Sequence, residues 1–275
     1  METIMTVHEL RCATALGEVL LRGDGRAITG LWFFGQKHAP APIQGTQRSV
    51  WIEQMAAKVQ RLLAGEAIET PPLAPQGTPF QRRVWEGLLG IAAGTTLSYQ
   101  ALAEQLGMAR SVRAVAAAVG RNPISVLIPC HRVIGRNGAL TGYAGGLGRK
   151  RALLDRETGR ALPWRRVLRP YVTQYPNPIR VLCGEPVQWV DRADDGEFAG
   201  WKWAVAASGL QGWVPRAWFS ADVPSTALRD YSAQELPVDV GDEVLELDAF
   251  SGWLWVIDRQ GRCGWVPQDH IAIAP

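Results

Sequence analysis

Two stretches in the C-terminal part of the chain repeat one another, and the repeat restricts what that part can become. Gly184 precedes Trp201-Lys202-Trp203, and Gly212-Trp213-Val214-Pro215 follows. Gly241 precedes Trp253-Leu254-Trp255, and Gly264-Trp265-Val266-Pro267 follows. The step from the first Trp of each pair to the Gly is 11 residues in both copies, and only the loop before the pair differs, by five residues. Short strands bounded by Gly turns, with nothing of helical period, predict two small all-β barrels. Nine of the 12 tryptophans lie from residue 164 onward, so these barrels are where the large aromatic side chains are spent, as core and scaffold.

The rest of the chain reads differently. At 275 residues it is long enough for two to four compact units. It is 47% hydrophobic, yet no run approaches the roughly 18 apolar residues of a membrane span. No basic-then-apolar leader opens it, so export is not indicated and a cytoplasmic location is expected. Cys12, Cys130, Cys183 and Cys263 are scattered, which is neither a disulfide framework nor a CxxC zinc signature. Charge is uneven. Residues 1–105 are neutral, residues 106–163 carry 10 Lys/Arg against two carboxylates, and residues 164–275 carry 10 against 15. A basic block of net +8 between a neutral and an acidic one suits a polyanion, although charge alone fits a solvated basic face equally well.

Local patterns place the elements. Residues 10–34 read as a hairpin, with Gly17 to Arg22 extended, a turn at Gly23-Asp24-Gly25, and Ala27 to Phe34 apolar and aromatic. Residues 49–64 read as an amphipathic helix capped by Ser49 and ended by Gly65, with Trp51, Met55, Val59 and Leu62 at helical spacing. Residues 70–77 form a Pro- and Gly-rich linker. Thr78, Pro79 and Gln81 have the spacing of a capping box with Pro at the first helical position. Ser98 caps Tyr99 to Leu106, Gly107 stops that helix, and Ser111 starts Val112 to Val119. A helix, a Gly turn and a second helix make a helix-turn-helix candidate. The second helix runs Ala114-Val115-Ala116-Ala117-Ala118, small enough for a close backbone approach to a partner.

The chemistry concentrates at Asn122-Pro123 and Pro129-Cys130-His131-Arg132-Val133. A thiol with an ordinary pKa near ~8.5 is mostly protonated at neutral pH, and a nearby base raises its thiolate fraction. His131 is adjacent to Cys130, so a bridging water suits the pair better than a direct bond. Glu157 can orient the His131 ring as a third member of the relay.

These segments resemble the O6-alkylguanine-DNA alkyltransferase family. The resemblance is carried by Ser98-Tyr99-Gln100-Ala101-Leu102-Ala103, Arg113-Ala114-Val115, Asn122-Pro123, Ile128-Pro129-Cys130-His131-Arg132-Val133 and Gly142-Tyr143-Ala144-Gly145-Gly146-Leu147. Lys150 and Glu157 follow at the family spacing. It covers roughly residues 8–160. It implies that Cys130 accepts the alkyl group, His131 deprotonates it through water, and Glu157 holds the ring. It implies that Tyr99 donates to N3 of the leaving guanine and that Asn122 braces the hinge and the thiolate. Arg113 would fill the base stack. The backbones of Cys130 and Val133 would read the guanine amino group. The Ala144 N–H would approach O6 from a substrate loop that includes Tyr143 and Gly145. Lys150 and Ala114 count among the substrate- and DNA-binding residues. It implies double-stranded DNA containing O6-alkylguanine as the partner, with base flipping and without a cofactor.

Departures set limits. Some relatives bind zinc near their N-terminus; here Asp24 and Thr29 stand at two of those places, and His8, Cys12 and His38 lack zinc spacing, so no metal is expected. Position 144 is Ala where some relatives carry Ser. The tail resembles tandem bacterial SH3 domains through Ala227-Leu228-Arg229-Asp230-Tyr231 and the two Gly-Trp-Val-Pro segments. Arg229 and His270 replace aromatics of the peptide groove, which leaves the tail's ligand unknown.

The expected fold is multidomain α+β: an RNase-H-like α/β roll over 1–73, a helical, winged-helix-like helix-turn-helix catalytic domain over 78–162, and SH3-like barrels over 166–221 and 225–275. A monomer is expected, with no membrane association and with a linker near Pro163 that tolerates a cut. Three other readings compete. They are a non-catalytic lesion binder, which Cys130 argues against; a cysteine hydrolase, which lacks a separate His; and an interaction protein centred on the tail.

Overall fold

The computed structural model describes residues 7–43, 46, 48–192 and 200–273. The first six residues, where a leader would begin, lie outside the described residues. The chain forms two compact units. One holds Met1–Phe33 and Ile43–Leu162, the other Phe34–Pro42 and Pro163–Pro275. No described helix is long and apolar enough to cross a membrane.

The first unit opens with strands β1 (His8–Cys12), β2 (Val19–Gly23) and β3 (Ile28–Phe33), an antiparallel sheet in that order. Helix α1 (Val50–Ala64) begins where Ser49 accepts the Ile52 N–H and ends at Gly65, whose φ of 99° lies in the left-handed region. A Ser or Thr cap of this kind stabilises a helix by about 1 kcal/mol. The buried stripe of α1 is Ile52, Met55, Ala56, Val59 and Leu63, so Trp51 and Leu62 flank the core rather than fill it.

Helix α2 (Pro79–Leu89) carries the full capping box, with Thr78 and Gln81 bonded reciprocally. Strand β4 (Leu97–Ser98) leads into α3 (Tyr99–Gln105), capped by Ser98, and then comes α4 (Val112–Gly120). Ser111 makes no side-chain cap, because a 3-10 turn over Ala109–Ser111 occupies the N-terminus of α4 instead. The buried Trp85 ring of α2 donates its indole N–H to the Ala118 carbonyl of α4, at 2.9 Å, and locks the helix pair. The chain then turns into β5 (Val133–Ile134) and ends the unit in α5 (Leu147–Glu157).

The free edge of β3 organises this unit. Ile28 bonds to the linker through Pro72 and Ala74. Leu31 exchanges bonds with Pro123 and Ser125, at 2.9 Å each. The segment after α4 is thereby fixed to a sheet, although it carries no strand pattern of its own.

The second unit is built from β strands and short 3-10 turns. Its strands are β6 (Trp164–Arg166), β7 (Arg180–Val181), β8 (Pro186–Trp189), β9 (Trp201–Ala206) and β10 (Gln211–Pro215). They continue with β11 (Ser225–Thr226), β12 (Tyr231–Ser232), β13 (Glu243–Phe250), β14 (Trp253–Asp258) and β15 (Cys263–Pro267). Two four-stranded sheets form, in the orders β10-β9-β8-β11 and β15-β14-β13-β6, and β12 pairs with β7.

The repeat is visible in the register: Trp203 faces Trp213 and Trp255 faces Trp265. Gly264 is required, because a Cβ there would lie 2.6 Å from the Leu236 backbone nitrogen. The two copies are not laid end to end, as boundaries at 166–221 and 225–275 imply. β6, at the start of the tail, pairs with β13 of the second copy, while β12 pairs back with β7. The reason is hydrophobic. Val167 belongs to the same core as Leu236, Val244, Leu254, Val256 and Val266. Among the described residues the pairing closes neither sheet into a barrel.

Candidate active site

Cys130 begins a 3-10 turn, Cys130–Arg132, that feeds β5. β5 pairs in parallel with β4, Leu97 opposite Val133 and Ser98 opposite Ile134. This two-residue sheet sets Tyr99, the first residue of α3, beside the turn that carries the thiol. Cys130 is buried, as are Asn122 and His131. Asn122 reaches across the hinge. Its Nδ2 donates to the Ile128 carbonyl at 2.8 Å and to Cys130 Sγ at 3.1 Å, while its Oδ1 accepts from the Ile124 N–H at 3.0 Å. One side chain thus holds both the loop and the sulfur.

Burial pushes the Cys130 thiol above its ordinary pKa, with the Asn122 hydrogen bond and the Lys150 charge pulling the other way. The resting group is therefore a neutral thiol that needs a base. His131 is the next residue in the chain and is buried beside it. Its Nε2 lies 2.8 Å from Glu157 Oε1. Burial alone would raise the pKa of Glu157, but hydrogen bonds and charge from His131 and Arg132 outweigh it and bring it to about 2. An ionised carboxylate only accepts, so Nε2 carries the proton and Nδ1 keeps its lone pair. Nδ1 is buried and bonds to no protein atom. Burial also lowers the His131 pKa, which keeps the ring neutral and able to accept a proton at pH 7.

Arg132 is the residue that sequence reasoning passed over. Its guanidinium holds Glu157 through Nε at 3.0 Å to both oxygens and Nη2 at 2.7 Å to one, and Nη1 donates to the Ile91 carbonyl. The only sequence signal was its place within the Pro129–Val133 segment. Arg149 carried no signal. It is buried, donates to Leu16 O at 2.9 Å and Gly145 O at 2.7 Å, and lies over the Phe33 ring.

The loop from Thr141 to Gly145 meets Tyr99 and Lys150 through its carbonyls. Tyr99 Oη lies 3.3 Å from the Gly142 carbonyl, and burial raises its pKa, so the phenol keeps its proton. Tyr143 and Ala144 are half-buried. Gly145 is buried where a Cβ would press on the Tyr143 and Phe33 rings, at 2.9 and 3.0 Å. Lys150 is turned inward and does not reach solvent. Its Nζ donates to Val133 O at 2.6 Å and Thr141 O at 2.8 Å, tying β5 to the loop, and burial lowers its pKa to about 8. The Val133 carbonyl retains a second lone pair for another donor. Arg113 and Ala114 are exposed on α4 and lie outside this cluster. Among the described residues no group of His, Cys, Asp and Glu could hold a metal ion.

The model of the 6-O-methylguanine DNA methyltransferase DNA-binding domain matches residues 79–159. A methylated-DNA–protein-cysteine methyltransferase of Mycobacterium bovis is 40% identical over 156 residues, 56% of this chain and 94% of that protein. The chain belongs to the methylated-DNA–protein-cysteine methyltransferase family. A Shigella flexneri member is 53% identical over 105 residues, 38% of this chain and 61% of its own length. A Mycobacterium tuberculosis member solved in complex with DNA superposes with a TM-score of 0.52 at 39% identity, covering 56% of this chain and 95% of its own. The first unit thus has the fold of the family, as the residues from Tyr99 to Glu157 implied. The family model ends before the tryptophan-rich tail begins.

Proposed function

We propose that this protein repairs O6-alkylguanine in DNA by moving the alkyl group onto Cys130 Sγ. The observation that carries this is a buried Cys130 thiol held by the Asn122 amide, next in the chain to a buried His131 ring that is bonded to Glu157. His131 Nδ1 takes the Cys130 proton through a water, and the thiolate attacks the alkyl carbon. An S–C bond forms and the C–O6 bond breaks. The guanine leaves with the electron pair and draws a proton or hydrogen bond from Tyr99 at N3. A thioether has no easy leaving route, so each molecule reacts once.

The O6 substituent lies inside the duplex, out of reach of a buried thiol, so the nucleotide must be flipped. Arg113 fills the vacated place, and the small outer face of α4, with Ala114 and Ala117 exposed, suits the minor groove. The backbones of Cys130, Val133 and Ala144 read the base, with Tyr143 and Gly145 shaping the loop and Lys150 positioning it. Free thiols at all four cysteines agree with a reducing, cytoplasmic setting. The tail we read as two interleaved SH3-like modules, on the strength of the duplicated Trp and Gly-Trp-Val-Pro positions.

The test is a comparison of wild type with Cys130→Ala on a duplex holding one O6-methylguanine. Wild type should restore guanine, while the variant binds the duplex and leaves the methyl in place. Restoration of guanine by Cys130→Ala would overturn the assignment.

A further inference from the structure

The second unit holds a cavity of about 290 Å³ that the alkyl transfer does not use. Trp201 and Trp213 line it from one repeat, Trp253 and Trp265 from the other, with Tyr171 and Tyr231 between them. Both repeats contribute the same two positions, the first Trp of the pair and the Trp of Gly-Trp-Val-Pro. The duplication has therefore built one shared aromatic enclosure.

The rings are held in place. Trp253 meets Tyr171 edge-on at 5.7 Å, and Trp201 meets Trp265 edge-on at 5.9 Å. The Tyr231 hydroxyl donates to Trp213 O at 2.8 Å, and the Trp265 indole N–H donates to Ser232 O at 2.9 Å. A pre-formed wall loses little freedom on binding.

Glu235 also lines the cavity and is only 8% exposed. Its Oε2 accepts from Thr173 Oγ1 at 3.0 Å and from the Gln174 N–H at 2.9 Å. Burial, and then a hydrogen bond to this carboxylate, push the Tyr171 hydroxyl up, so it stays a neutral donor. No ion pair joins Glu235 to any described residue. The partners of this carboxylate, Thr173, Gln174 and Tyr171, are all neutral, which leaves a cationic partner to be supplied from the cavity. Aromatic faces add negative potential of their own.

We propose that this cavity binds a lysine or arginine side chain presented by a partner polypeptide. The apolar walls suit the aliphatic stem, and Glu235 with the ring faces suits the cationic end. The volume sits at the lower edge of the roughly 300–1,000 Å³ of ligand pockets, which leaves room for one long side chain. The 15 carboxylates against 10 cations of residues 164–275 favour a basic partner over a nucleic acid.

The experiment titrates the full chain with capped Gly-Lys-Gly and Gly-Arg-Gly peptides and with neutral norleucine and citrulline counterparts. The indole N–H signals are followed by NMR. The cationic peptides should shift the signals of Trp201, Trp213, Trp253 and Trp265 saturably, and the neutral ones should not. Glu235→Gln keeps an acceptor for Thr173 and Gln174, so its spectrum should remain dispersed while affinity falls at least tenfold. If that variant unfolds, the pairs of charged and neutral peptides on wild type still decide. Equal binding of the neutral peptides, wild-type affinity in a folded Glu235→Gln, preference for a proline-rich peptide, equally tight binding of free butylamine, or no saturable shift would each overturn the proposal.

Discussion

Cys130 has to satisfy two opposed demands, since burial protects the thiol from adventitious chemistry and also raises the pKa that the reaction must overcome. In the proposed mechanism three neighbours act in series: the bonds from His131 and Arg132 keep Glu157 ionised, Glu157 fixes the His131 tautomer, and His131 presents Nδ1. Glu157→Gln and His131→Ala should each slow methyl transfer by about 10²–10⁴-fold in single-turnover assays, with little change in duplex affinity. Wild-type rates in both would mean that something else activates Cys130. The acid limb has a definite sign. Burial lowers the His131 pKa, so the base form persists as the pH drops through the ordinary value of about 6.5. The transfer rate should stay flat from pH 8 to about 6.5 and fall only below it. The Arg132 charge contributes to that lowering, so Arg132→Met should move the limb to higher pH. A limb above 6.5 in wild type, or one unmoved in Arg132→Met, would contradict this electrostatic reading. Glu157 gives a parallel expectation for stability. Its folded pKa of about 2 lies below the ordinary 4.5, so its stabilisation is complete above about pH 4.5 and is lost as the pH falls towards 2.

At the scale of elements, charge read from sequence has to be discounted by where each cation goes. Of the ten in residues 106–163, Arg132 is spent on Glu157, and Arg149 and Lys150 are buried on carbonyls. Arg110, Arg113, Arg121 and Arg136 are exposed on or near α4 and β5. With about four phosphate contacts, the slope of log affinity against log salt should be near −3.6, well short of what a net +8 suggests. Arg113→Ala should harm repair in duplex DNA more than reaction with free O6-benzylguanine, because only the duplex requires flipping. Equal losses would place Arg113 in the pocket or the fold. The helices were legible because their signals are local: caps at Ser49, Thr78 and Ser98, and stops at Gly65 and Gly107. The β3 bonds to Pro123 and Ser125 were not legible, since backbone pairing over 90 residues of chain leaves no periodic trace. The parallel β4–β5 pair is two residues long, too short to show alternation. Cys130, His131, Glu157 and Asn122 were legible as motif residues. The inward turn of Lys150 was not, because a lysine on a helix reads the same whether it meets solvent or a carbonyl.

The whole molecule is less modular than its repeat suggests. Phe34–Pro42 leaves the first unit to pack in the second, where Phe34 meets Trp255 at 6.2 Å and Arg180 lies 5.0 Å over its ring. A chain ending at Leu162 strips that segment of its partners, so a cut near Pro163 should cost more than a linker would imply. Phe34→Ala in the full chain should destabilise the second unit by roughly 3 kcal/mol, read from denaturant unfolding followed by tryptophan fluorescence. An unchanged midpoint would show that the segment is a passive loop. The central claim, that Cys130 is the terminal acceptor of the alkyl group, has a more direct test. The full chain is mixed with increasing amounts of O6-methylguanine duplex, and intact mass and peptide mapping follow the product. We expect one methyl group per chain, on Cys130, with a plateau at a one-to-one ratio however much duplex is added. Methyl mapped to Cys12, Cys183 or Cys263, or guanine restored beyond one equivalent, would contradict it.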